Sequence, residues 1–357
     1  MAQLRDYQLD LVRKTERAFA NGLRRIIIQL PTGGGKTVLM AELVKRQGSR
    51  RILYVVPSIE IFDQTAAKLN AVGIRPTLLQ AGKAPDLRNA RCVLAMSQTL
   101  AQRLLNGVFN TWSPDLVIVD EAHRLLDQHQ TVLRLFRCPS IALTATPVRL
   151  DGKSLAAIWP TMIQGPQIYD LIEKRNLVPM TTYHLPLTDL KKVRIRAGDY
   201  ETSSLSAAYE NSRAADLSAI YWSKYAKDRP TIAFAPSRKV SQTLADAVST
   251  LGMSAVHLDG STPKREREKA LEAFAQGEID FISNCGLFVE GLDVPHVSCI
   301  VVCTSTLSLP KWLQMCGRGT RPAPGKRDLL ILDHGHCAVR LGTPDCDRDW
   351  YIGGAPL

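Results

Sequence analysis

The chain has 357 residues, of which 45% are apolar and 22% charged. That length points to two domains, each able to bury its own core, and the composition excludes an intrinsically disordered chain. No run of about twenty apolar residues occurs, which excludes a membrane-spanning helix. The formal net charge of +11 suits a polyanionic partner, with nucleic acid ahead of a membrane surface.

The first residues carry Asp6, Asp10 and Glu16 and lack a secretory apolar core, so a cytoplasmic protein is expected. Leu4 to Ala20 has apolar residues at helical spacing and contains Arg5-Asp6-Tyr7-Gln8. A glutamine ahead of a phosphate loop can read adenine, accepting from the exocyclic amine and donating to a ring nitrogen. The apolar run Ile26 to Leu30 then meets Pro31-Thr32-Gly33-Gly34-Gly35-Lys36-Thr37, and Val38 to Arg46 is helix-like. A glycine loop between strand and helix gathers backbone N–H groups around an anion, and the helix N-terminus adds positive charge. In that reading Lys36 reaches the β- and γ-phosphates of ATP and the Thr37 hydroxyl ligates Mg²⁺. Leu30 stands where the strict pattern has its first glycine.

Strands are expected over Arg51 to Pro57, Thr77 to Gln80, Cys92 to Ala95, Leu116 to Val119 and Ile141 to Leu143, with a helix over Glu60 to Asn70 between the first two. Such alternation predicts a parallel α/β sheet whose active edge lies at the strand C-terminal ends. Leu116-Val117-Ile118-Val119 runs directly into Asp120-Glu121-Ala122-His123, which sets two carboxylates at that edge. Asp120 is expected to hold Mg²⁺ and Glu121 to polarise the attacking water. Thr144-Ala145-Thr146 ends the next strand.

From Val148 to about Leu185 the pattern loosens, apart from a helix-like stretch over Asp170 to Leu177. A second α/β series follows, with strands over Thr231 to Ala235, Ala255 to Leu258, Phe281 to Asn284 and Ser298 to Cys303 and helices over Val240 to Leu251 and Lys264 to Gln276. It has no phosphate loop, so a second nucleotide site is not expected. It does carry Gly291-Leu292-Asp293 and Gln314-Met315-Cys316-Gly317-Arg318-Gly319-Thr320-Arg321. Arg318 and Arg321 fall on one side of a helix or tight turn, and two guanidiniums suit the charge that builds on a γ-phosphate. The expected domains are 1–165, a connection over 166–212, 213–333, and a tail over 334–357 packed on the second lobe. The eight cysteines include no Cys-x-x-Cys pair and read as buried thiols in a reducing compartment. The spacing of His334, His336, Cys337 and Cys346 fits no zinc template, and whether they bind a metal is left open.

In order, Gln8, Gly35-Lys36-Thr37, Asp120-Glu121-Ala122-His123, Thr144-Ala145-Thr146, Gly291-Leu292-Asp293 and Gln314 with Arg318 and Arg321 resemble the superfamily-2 helicases of DEAD/DEAH-box type. Within that group the loop wording looks like RecQ, and Gly317 to Pro322 with Leu332-Asp333-His334 looks like RadD-type and phage-encoded DNA helicases. The resemblance implies two RecA-like lobes closing on ATP, with nucleic acid across both. It implies that Arg5, Gln8, Pro31, Thr32, Gly33, Gly34, Gly35, Gly291 and Asp293 serve the nucleotide, and that Gln314, Arg318 and Arg321 act in catalysis with Lys36 and Glu121. It places Pro57, Ser58, Ser97, Gln98, Thr99, Ser237, Arg238, Gly260, Ser261, Thr262, Asn284 and Gly286 on the phosphate backbone, a sequence-independent grip. Many relatives have Arg after the glutamine, where this chain has Met315. The expected activity is an ATP-dependent DNA helicase or translocase in repair, recombination or replication; an ATP-switched clamp and an RNA helicase remain the alternatives.

Overall fold

The computed structural model describes residues 4–80, 82, 85–105, 107, 109, 111–124, 126–149, 153–288 and 294–353. The chain forms two compact units, Met1–Gln167 together with Arg348–Leu357, and Ile168–Asp347.

In the first unit the elements run α1 (Asp6–Ala20), β1 (Arg25–Gln29), α2 (Lys36–Arg46), β2 (Ile52–Val56), α3 (Ile59–Ala71), β3 (Thr77–Leu79), β4 (Cys92–Met96), α4 (Ser97–Leu105), β5 (Leu116–Val119), α5 (Leu126–Phe136), β6 (Ser140–Thr144) and β7 (Thr161–Gln164). The sheet order is β3-β4-β2-β5-β6-β1-β7, parallel throughout. Parallel strands need helical crossovers, which cover both faces, so their sequences are continuously apolar. The pleat divides the run in two: Ile26, Ile28, Tyr54, Ile118 and Ile141 pack into one core, while Ile27, Leu53, Val55, Val117 and Ala142 pack into the other.

The second unit continues with α6 (Ile168–Glu173), β8 (Met180–His184), the two-residue strands β9 (Ile195–Arg196) and β10 (Asp199–Tyr200), α7 (Thr202–Asn211), α8 (Ala214–Ala226), β11 (Thr231–Phe234), α9 (Arg238–Thr250), β12 (Ala255–Asp259), α10 (Lys264–Gln276), β13 (Phe281–Cys285), β14 (Cys299–Val302), α11 (Leu309–Cys316), β15 (Leu329–Asp333) and α12 (Cys337–Leu341). A six-stranded parallel sheet takes the order β12-β13-β11-β14-β15-β8. Both units are therefore the parallel-sheet α/β lobes expected, of RecA-like type.

The boundaries differ from those read in the sequence. Residues 168–212, expected as a connection, belong to the second unit, because β8 pairs with β15 from Leu329↔Met180 to Asp333↔His184. The end of the expected tail returns to the first unit, where the Ile352 carbonyl accepts from the Ala156 N–H at 2.9 Å and the Arg348 carbonyl accepts from the Gln167 amide at 2.8 Å. Strands β7, β8 and β15 were not anticipated. β8 is a half-exposed edge strand of mixed polarity, so its sequence lacks the apolar run that marks the central strands.

Trp222 anchors the second unit's core: it is fully buried, its indole N–H donates to Thr231 Oγ1 at 2.7 Å, and its ring meets Phe281 edge-on with centroids 5.0 Å apart. Trp222→Ala is expected to destabilise this unit by about 3–5 kcal/mol, read as a lower midpoint in urea unfolding.

Candidate active site

The strand order decides which groups meet at the C-terminal edge of the first sheet. β6 lies between β1, which feeds the phosphate loop, and β5, which feeds Asp120 and Glu121. Two strand spacings are about 9.6 Å, a gap that one long side chain can close. Lys36, the first residue of α2, spans it, with Nζ 3.4 Å from Glu121 Oε1 and both side chains nearly buried. An ion pair this enclosed is held by geometry, since each charge would be costly alone.

The loop itself is shaped by glycine. Gly33 and Gly35 have φ of 84° and 81°, in the left-handed region that other residues avoid, and Gly35 caps α2. A Cβ on Gly35 would overlap the Gln8 amide. Gln8 is buried; its amide donates to Gly34 O at 3.2 Å and Gly35 O at 3.4 Å, and its oxygen accepts from the Arg5 N–H at 3.0 Å. Tyr7 adds a phenol–Gly34 O bond at 2.8 Å, and the Arg5 guanidinium donates to that phenol at 3.1 Å. Residues 5–8 thus brace the loop from behind. Pro31 is buried and Thr32 half-buried, and Thr32 Oγ1 is enclosed with no hydrogen-bond partner.

Asp120 is buried, with Oδ1 accepting from the Glu121 N–H at 2.9 Å and Oδ2 3.5 Å from the Tyr54 hydroxyl. Burial, followed by the charge of Asp120, pushes the Tyr54 phenol well above its ordinary value, so it stays a neutral donor. Glu121 takes φ of +46°, a conformation costing about 1–3 kcal/mol in a residue with a side chain. Flanking bonds hold it there, with Ala122 N–H donating to Leu143 O at 2.9 Å and Arg124 N–H to Glu121 O at 3.0 Å.

His123 links the acids to the end of β6. Its Nδ1 lies 2.9 Å from Thr144 Oγ1 and 3.5 Å from Glu121 Oε2. Thr144 spends its own proton on Thr146 O at 2.8 Å while accepting from the Thr146 N–H at 3.0 Å, which assigns the imidazole proton to Nδ1. The Gln29 amide donates to Ala145 O at 3.1 Å and the Leu30 N–H to Thr144 O at 3.0 Å. Loop, acids and the Thr144–Thr146 turn are thereby one hydrogen-bonded assembly.

Hard oxygen ligands suit Mg²⁺. The Asp120 carboxylate and the half-buried Thr37 hydroxyl, at the start of α2, supply that donor type where the loop would seat phosphates. His334, His336, Cys337 and Cys346 do not form a metal cluster among the described residues; His334 and Cys337 are buried, and Cys346 is exposed.

In the second unit, α11 presents buried Gln314, whose Nε2 is enclosed without a partner, and a short 3₁₀ turn, Gly317–Gly319, carries buried Arg318. Lys326, not picked out from the sequence, holds this turn. Its ammonium donates to Gly319 O at 2.5 Å, Arg321 O at 2.8 Å and Pro295 O at 2.9 Å. Burial, with the charge of Arg321 second, lowers its pKa to about 7. Met315, the residue after Gln314, is packed in the core.

Several residues expected on a nucleic-acid backbone are placed otherwise. Ser97 is buried with its hydroxyl on Val56 O at 3.1 Å, and Asn284 is buried with its amide on Ala233 O at 2.8 Å, so neither side chain is presented to a ligand. Ser58 and Ser237 cap α3 and α9. Pro57 and Thr99 are half-buried, and Gln98, Gly260, Ser261 and Gly286 are exposed. Thr262 Oγ1 accepts from the Asp259 N–H, and exposed Arg238 pairs with Asp259 at 2.9 Å. The Ser261 hydroxyl, first, and Arg238 among others hold the Asp259 carboxyl down at about 2. Gly291 and Asp293 lie outside the described residues.

A phosphate loop after β1 and two consecutive acids at the end of β5, two strands away in the same parallel sheet, together with a second parallel-sheet lobe, fit the class of two-lobed phosphate-loop ATPases. Residues 1–149 match the family described as type III restriction enzyme, res subunit, and residues 212–323 the helicase conserved C-terminal domain. A 51.5 kDa protein of a Lactococcus phage is 31% identical over 91% of this chain and 68% of its own length. A Saccharomyces cerevisiae protein named as a candidate ATP-dependent helicase, IRC3, is 29% identical over 92% of this chain but 51% of its own, so the chain spans about half of that relative.

Among solved structures, a fragment assigned to an HsdR subunit of a type I restriction enzyme from Vibrio vulnificus has a TM-score of 0.74 at 19% identity, covering 98% of this chain and 66% of its own. The Type ISP restriction-modification enzyme LlaBIII bound to DNA scores 0.66 at 16%, covering 92% and 27%. Dbp5 of S. cerevisiae bound to RNA and ADP BeF3 scores 0.62 at 16%, covering 95% and 90%. The chain belongs to the superfamily-2 helicases.

Two predictions follow from this geometry. Gly35→Ala is expected to lower ATP affinity roughly tenfold or more, about 1.4 kcal/mol, in equilibrium nucleotide titration. Burial lowers the His123 pKa from 6.5 to about 4. Between those values the unfolded chain binds a proton that the folded chain does not. Stability should therefore fall as pH drops below about 6.5 and level off near 4. His123→Asn should flatten that dependence in urea unfolding of the first unit.

Proposed function

We propose that the chain is an ATP-driven DNA translocase or helicase, working in repair, recombination or replication. The carrying observation is the buried Lys36–Glu121–His123–Thr144 assembly at the mouth of a glycine cradle. ATP is the substrate. Its phosphates would occupy the loop of Pro31 to Thr37, and Lys36 would leave Glu121 to meet them, freeing that carboxylate to orient and deprotonate the attacking water. Mg²⁺ held by Thr37 and Asp120 would neutralise phosphate charge. We assign Arg318, Arg321 and Gln314 to the hydrolytic step, Gly291 and Asp293 to nucleotide binding, and the exposed Gln98, Arg238, Gly260, Ser261 and Gly286 to phosphate-backbone contact. Arg5 and Gln8 brace the loop, and adenine recognition would require Gln8 to share an amide group now given to the loop.

DNA is favoured because the family match to restriction res subunits and the fold match to LlaBIII, bound to DNA, accompany a net charge of +11. The RNA-bound Dbp5 likeness makes RNA the comparison arm. ATP turnover measured with single-stranded DNA, forked DNA and RNA should rise most with DNA. Lys36→Ala should abolish turnover, Glu121→Gln should lower it about 10²–10⁴-fold while leaving ATP bound, and Arg318→Ala should lower it about 10³-fold. Indifference to every nucleic acid would overturn the proposal. Stimulation by RNA alone would make the motor an RNA helicase, and turnover without strand displacement or movement would make it a clamp.

A further inference from the structure

Every strand of the first sheet is parallel, so the edge opposite the phosphate loop is formed by strand N-termini, and it is studded with arginine. Arg24 and Arg25 open β1, Arg137 precedes β6, Arg51 precedes β2 and Arg91 precedes β4. Arg24, Arg25, Arg134 and Arg137 line a groove of about 710 Å³ with Leu23 and Cys138 at its wall. The Arg24 guanidinium donates to Arg137 O at 3.2 Å and the Ser140 N–H to Arg24 O at 2.8 Å, which fixes the two arginine-bearing segments to each other. Among the described residues none of these four guanidiniums forms an ion pair. Asp115, just before β5 on this edge, accepts the Arg51 N–H at 2.8 Å.

Like charges gathered around a concavity repel one another, and an anion relieves that cost. From β1 to β4, across β6, β5 and β2, is about 19 Å at one strand spacing of about 4.8 Å per step. Duplex DNA carries about eleven charges in that length, at one per about 1.7 Å. Guanidinium forks pair with phosphate oxygens in a bidentate manner. A row of them matches a regularly charged backbone better than the irregular charges of an acidic protein.

We propose that this edge of the first unit is a second nucleic-acid docking surface. It is separate from the family's backbone-gripping positions at the other edge, and it holds a duplex segment by its phosphates without reading sequence. The inference rests on the motor reading for the nature of the anion.

The test uses the full chain, without nucleotide, and duplex DNA titrated across salt concentrations. Arg24→Gln/Arg134→Gln/Arg137→Gln should reduce the log–log salt slope by about 2.7, and Arg134→Gln alone by about 0.9. Basal ATP turnover should be unchanged in both. The single variant removes an exposed side chain outside the Arg24–Arg137 bond, so it decides the matter if the triple variant folds poorly. Unchanged slopes in a protein whose ATP turnover still responds to nucleic acid would overturn the surface and leave the motor reading intact. A wild-type chain that neither binds nucleic acid nor responds to it would overturn both. Poly-glutamate binding that is lost in the variants while duplex binding is kept would assign the edge to an acidic protein and overturn the proposal.

Discussion

A lysine and a glutamate from opposite sides of one strand must meet, and the first unit is arranged to let them. Lys36 and Glu121 are 3.4 Å apart although their parent strands are not neighbours. That meeting requires β6 between β1 and β5, a loop that launches α2 at the right height, and a left-handed turn at Glu121. The apolar strands beneath are stiff because they are packed on both faces, so the cost of the strained turn is met by the sheet. Desolvation of two charges would otherwise oppose the arrangement. In the function proposed above, a bound polyphosphate would offer Lys36 a stronger anion than Glu121 does, and the resting pair would be the contact that substrate displaces.

The same architecture explains what the amino-acid order revealed and what it hid. Apolar runs such as Leu116 to Val119 announce central parallel strands, and Gly33-Gly34-Gly35-Lys36-Thr37 announces its own backbone geometry, so the first sheet and its loop were legible. β8 was not, because an edge strand buries one side only and Met180–His184 carries no apolar run. The domain boundary failed for a related reason: pairing of β8 with β15 joins residues far apart in sequence, and no local signal encodes it. Buried polar partners were the least visible. Tyr54, Gln29 and Lys326 look like ordinary members of a strand, a strand end and a basic turn; only the packed structure shows which carbonyl or carboxylate each one satisfies.

Resemblance to a family transfers residue types more safely than roles. Ser97 and Asn284 match the family's positions, yet their side chains are spent on the carbonyls of Val56 and Ala233. Lys326 is the converse, a residue outside the motifs that fixes the turn on which Arg318 and Arg321 sit.

The return of residues 348–352 to the first unit makes the second unit an insertion, entered at 167 and left at 347. During synthesis the early segment cannot complete its fold until residues 348–352 have followed the inserted lobe, so that lobe is free to fold ahead of its host. Two peptide passages, not one, also join the halves.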